Sequence, residues 1–71
     1  MRFRVTLLRP GAEELTWVIL PDEPSARMQA EEQSLRERET EVRVYREAFG
    51  GERELLSGYR RGKPVDSGAS N

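Results

Sequence analysis

Residues Arg2 to Leu8 alternate, with Phe3, Val5 and Leu7 pointing one way and Arg2, Arg4 and Thr6 the other. Period-two alternation of this kind is the mark of a half-buried strand. Arg9-Pro10-Gly11-Ala12 is turn chemistry, because proline sets φ and glycine permits positive φ. Leu15 to Leu20 is the most apolar run and predicts a second strand, joined to the first as an antiparallel hairpin. Pro21 to Ser25 ends that strand and opens a helix over Ala26 to about Thr40. There Asp22 or Ser25 caps, and Ala, Glu, Gln, Arg and Leu sustain the helix. Alternation returns over Glu41 to Phe49, with Val42 and Val44 on one face and Arg43, Tyr45 and Glu47 on the other. Gly50-Gly51 is a hairpin signal. Arg53 to Arg60 predicts a fourth strand, with Gly58 as its weak point or bulge.

The predicted architecture is α+β, in the order β-β-α-β-β. Four strands form a mainly antiparallel sheet with one helix packed on one face. A right-handed crossover places the third strand parallel to the first or second. Residues 1–61 form the single domain, and Gly62 to Asn71, with little apolar content, is expected as a flexible tail.

Two elements resist a simple placement. The helix is thinly apolar: Ala26 and Ala30 lie near one another on the wheel, with Met28 and Leu35 roughly opposite. The larger pair, Met28 and Leu35, is expected on the sheet, with Glu and Arg stems covering the rest. The second strand is apolar on both sides, as a central strand or a dimer interface would be. With Leu15, Trp17 and Ile19 set toward the helix, the open face carries Arg2, Arg4, Thr6, Val18, Leu20, Arg43 and Tyr45. Arg60 joins them if Tyr59 points inward.

Composition narrows the function. The chain has 71 residues with no Cys and no His, so thiolate zinc sites, imidazole bases and His-assisted nucleophiles are closed. The acid–base groups that remain are Asp22, Glu23, the helix acids and Glu47. Adjacent carboxylates such as Glu31 and Glu32 point in different directions around a helix. No phosphate loop or EF-hand pattern is present. The expectation is a non-catalytic protein with no cofactor and no metal. No run approaches the roughly 18 apolar residues of a membrane helix, so the expected setting is cytoplasmic, with no membrane partner.

Twelve basic and 13 acidic side chains give a net charge of −1, but the charge is divided. From Asp22 to Glu41 there are three Arg against seven acids, while both sheet segments are net positive. Eleven of the twelve basic residues are Arg, which makes planar, bidentate contacts. Arg2, Arg4, Arg43, Tyr45, Arg60 and Arg61 are therefore the expected partner-binding residues, with the acidic helix as a second surface. A protein partner is favoured, and a homodimer through the sheet is the corresponding self-association. The same Arg-Tyr set could hold phosphates and stack a base, so nucleic acid is the alternative.

Taken over residues 1 to about 61, the hairpin-helix-hairpin order resembles small phage and mobile-element accessory proteins, anti-CRISPR proteins among them. The resemblance is one of architecture, size and charge, and it implies an inhibitor that occupies a macromolecular surface. Phe3-Arg4-Val5 through Trp17-Val18-Ile19-Leu20-Pro21-Asp22-Glu23-Pro24 is similar to antitoxins of the Hic type, which implies a regulator. The helix-strand-GlyGly-strand half looks like small bacterial domains of one sheet and one helix.

Overall fold

The computed structural model describes residues 1–65. Strand β1 (Arg2–Leu8) pairs antiparallel with β2 (Leu15–Leu20), and α1 (Glu23–Arg36) leads to β3 (Glu41–Glu47) and β4 (Arg53–Arg60). A fifth strand, β5 (Lys63–Val65), completes an antiparallel sheet in the order β2-β1-β3-β4-β5. Strand β3 runs antiparallel to β1 and hence parallel to β2, with β1 lying between them.

The fifth strand corrects the expected boundary of the tail. Arg60 pairs with Lys63 across a two-residue turn in which Arg61 has φ 55° and Gly62 φ 80°. Positive φ at both central residues is the geometry whose twist matches a hairpin. Gly62 therefore belongs to the turn and Lys63–Val65 to the sheet, and the rest of the expected tail, 66–71, lies outside the described residues.

The helix presents its small side. Ala26, Ala30, Gln33 and Ser34 are buried, whereas Met28 and Leu35 are exposed, opposite to the expectation. The sheet already fills its inner face with Phe3, Val5, Leu7, Val42, Val44 and Tyr59, so alanines let the helix axis approach closely. Asp22 caps the helix by accepting the Ser25 N–H at 2.9 Å, and Pro24 sits in the first turn. The helix begins earlier and ends earlier than predicted. At its end Glu37 accepts a bidentate fork from Arg9 (2.8 and 2.9 Å) and further bonds from Gln33 and Thr40.

Two irregularities set which residues face inward. Val5 pairs with Val18 but Thr6 pairs with Thr16, which leaves Trp17 as an extra residue in β2. Residues opposite one another share a face. Leu20 therefore sides with Phe3 and Val18 with Val5 against the core, and Trp17 and Ile19 turn to the open face. This reverses the expected placement of Val18, Leu20, Trp17 and Ile19. The second bulge is at Leu56 rather than Gly58, since Val44 pairs with Ser57 and Tyr45 with Leu55. It directs Leu56 against the core.

Candidate functional site

The face of the sheet away from α1 is built from rows that cross the strands. Ile19, Arg4, Tyr45 and Leu55 form one row, and Thr16, Thr6, Arg43 and Gly58 form the next. Arg2 lies opposite Glu47, which lies opposite Arg53. The pleat thus gathers Arg2, Arg4, Arg43 and Tyr45 on one side, as the alternation predicted. With Tyr59 turned into the core, Arg60 joins them. Arg61 stands apart, in the turn after β4.

The Arg side chains are not left unpaired. Glu47 is buried and receives Arg4 through two nitrogens, Arg2 at 2.9 Å and Arg53 at 3.8 Å. The contacts with Arg4, foremost, and then with Arg2 hold its carboxyl below the ordinary range. Glu41 accepts Arg43 at 2.8 Å and lies 3.5 Å from Arg60. Gly58 is what makes room for it, because a Cβ there would stand 3.0 Å from the Glu41 Oε2. Arg61 lies 3.5 Å from Glu39. Every Arg of the predicted contact set has a carboxylate partner within the chain.

Glu14 was absent from the expected face. It folds back from the loop before β2 and accepts bonds from the hydroxyls of Thr6 (2.6 Å) and Tyr45 (2.8 Å), with Arg43 3.9 Å away. Burial pushes its carboxyl up, but the two hydroxyls and the nearby Arg43 and Arg53 outweigh this and leave it lowered. Burial also pushes the Tyr45 hydroxyl up, and Arg53 stacks 5.1 Å from the Tyr45 ring centroid. Tyr45 is thus engaged on its edge by Glu14 and on its face by Arg53.

Around this charged centre the face is apolar. Trp17 and Ile19 are 38% and 39% exposed on one side, and Leu55 is 48% exposed on the other. The sequence signal for this surface was the double-sided hydrophobicity of Leu15–Leu20. Of the two placements such a run suggests, a central strand or an interface, the strand order excludes the first, because it puts β2 at a border of the sheet. A further apolar group, Phe49, is 97% exposed in the β3–β4 turn, where the Gly51 N–H bonds to the Ala48 carbonyl at 3.0 Å.

The shallow cleft beside that turn, about 290 Å³, is lined by Met1, Arg2, Glu47, Ala48, Phe49 and Gly51. Its one carboxylate is Glu47, held ionised by Arg, which is a poor starting point for proton transfer near neutrality. Among the described residues no group of acidic side chains is arranged to hold a metal ion, and no helix is long and apolar enough to cross a membrane. Comparison with protein-family models, curated proteins and solved structures finds no match for this chain.

Proposed function

We propose that the chain is a non-catalytic binding protein that occupies the surface of a protein partner, as an inhibitor or adaptor does. The observation that carries this reading is the exposed apolar border formed by Trp17 and Ile19 beside an Arg-carboxylate lattice. Large exposed aromatic and aliphatic side chains next to satisfied polar groups are what a protein interface uses as its desolvated centre and polar rim. A phosphate backbone would instead require free cations, and here it would have to displace Glu47 and Glu41 from the Arg side chains that hold them.

The test is affinity capture with nuclease present and absent, comparing the natural chain with Trp17→Glu/Ile19→Glu and with Arg43→Glu. The expected result is a discrete protein retained after nuclease and lost with the Trp17/Ile19 variant. Capture that nuclease abolishes, and that only Arg43→Glu removes, would overturn the assignment in favour of nucleic acid.

A further inference from the structure

The two borders of the sheet are built differently. The β5 border is three residues long and includes Lys63 and Pro64. Lysine and proline are the residues that keep a sheet border from pairing with another chain, the first by its hydrated charge and the second by lacking an N–H. The β2 border, Leu-Thr-Trp-Val-Ile-Leu, contains neither a charge nor a proline. Among the described residues no strand lies on its outer side.

We propose that β2 accepts an extended segment of a partner protein as an added strand. The segment has an apolar, β-branched centre with Lys or Arg at both ends. This rests on the protein-binding reading above and specifies how the partner is held. Main-chain hydrogen bonds to the free edge provide the attachment. The segment's alternate side chains continue the row of Ile19 and Trp17 on one face and of Val18 and Leu20 on the other.

The charge pattern selects the occupant. Glu13 and Glu14 precede the strand, and Asp22 and Glu23 follow it after Pro21. Glu14 is occupied by Thr6, Tyr45 and Arg43, and Glu23 is paired with Arg27. Glu13 has no ion pair among the described residues, and the Asp22 carboxylate has no cation there and accepts the Ser25 N–H that caps the helix. Each end of the free edge thus offers a carboxylate without a cation. A second copy of β2 is a poor fit. Set antiparallel, it brings Glu13 and Glu14 against the other copy's Asp22 and Glu23; set parallel, it brings the same acids against themselves. The bulge at Trp17 interrupts the edge, so the added strand is short and its regular pairing is along Val18–Leu20.

Trp17 is the single tryptophan of the chain, and its fluorescence reports directly on the border. The probe is a short synthetic peptide of alternating Val and Thr with a Lys pair at each end. Its counterpart carries Glu at the ends. Two further versions are N-methylated at one or the other set of alternate backbone nitrogens. The Lys-ended peptide is expected to bind at least ~10-fold more tightly than the Glu-ended one at low salt, with the gap narrowing as salt rises. One N-methyl series should abolish binding and the other should leave it, since only one edge of an added strand faces β2. Glu13→Lys/Asp22→Asn, in which the Asn keeps a capping oxygen, should remove the preference for Lys. Equal affinity for the two charge types, tolerance of both N-methyl series, or no binding by any peptide would overturn the proposal. So would a solution mass that doubles with concentration and is reset by Trp17→Glu, which would assign the border to a second copy. Loss of the peptide result while nuclease-resistant capture persists would remove strand addition alone, and the broader protein-binding reading would stand.

Discussion

The Ser34 hydroxyl accepts the backbone N–H of Gly62 at 2.8 Å while donating to the Glu31 carbonyl at 2.8 Å. One buried side chain on α1 thereby fixes the turn that starts β5. Directly beside it, a Cβ on Gly62 would lie 2.6 Å from the Leu35 Cδ2. The helix and the last hairpin are joined at this point.

Gly62→Ala is therefore expected to destabilise the fold by about 1–3 kcal/mol, from the positive φ together with the approach of Leu35. Arg61→Asn acts the other way. Asn adopts the φ of 55° at lower cost and Asn-Gly suits this turn, while the two bonds that are lost, to Glu39 and to the Arg38 carbonyl, are exposed and long at 3.5 Å. A gain of about 0.5 kcal/mol is expected. Urea titration of both variants measures the two effects.

The helix-sheet contact yields a pair of opposite outcomes. Ala30→Leu inserts bulk where Ala30 is wholly buried and should cost about 1–3 kcal/mol. Met28→Ala, on the outer side of the same helix, should change stability by no more than about 0.5 kcal/mol. If the larger residues Met28 and Leu35 faced the sheet, the two results would be exchanged.

Acid should weaken the fold through Glu37. Its carboxyl is depressed from 4.5 to about 2, first by the Arg9 fork and then by Thr40 and Gln33. A depressed carboxyl stabilises the folded state above the unfolded value and loses that contribution as pH falls through the folded value. The window is thus from about 4.5 down to about 2. Denaturant midpoints measured across this range should fall with pH. In Glu37→Gln the fall should be shallower, with the residual slope coming from Glu47 and Glu14, whose carboxyls are also lowered.

Trp17→Ala should separate binding from folding. The side chain is 38% exposed and lies outside the core cluster, so its loss should cost about 1–3 kcal/mol of stability and leave the core packing in place. For the partner protein identified by nuclease-resistant capture, the same substitution should lower affinity by about ten-fold or more, as truncation of a central aromatic does. Unfolding curves and titration calorimetry against that partner read the two quantities.

Much of the fold was legible along the chain because it depends on local pattern. The bounds of β1, β2 and β4 follow from alternation and turn residues, and the inward placement of Val42 and Val44 from period two. What was misread depends on a neighbour. Register alone placed Val18 inward and Trp17 outward, since one bulge residue moves side chains between faces. The fifth strand was hidden because Lys63-Pro64-Val65 is too short to show a period, and its order comes from Gly62 meeting Ser34.

For the candidate site the division is similar. The amino-acid order by itself determined that Arg2, Arg4, Arg43 and Tyr45 share a face, that imidazole and thiol chemistry are closed, and that Leu15–Leu20 is apolar on both sides. Only the tertiary structure decided that this face is internally neutralised and that the apolar strand stands at a border. Glu14 comes onto the face because the β1–β2 loop folds over it, and Glu47 meets three Arg side chains because β1, β3 and β4 lie side by side. Strand order and charge pairing are long-range properties. They are set by which surfaces bury each other, and a one-dimensional pattern of polar and apolar residues does not contain them.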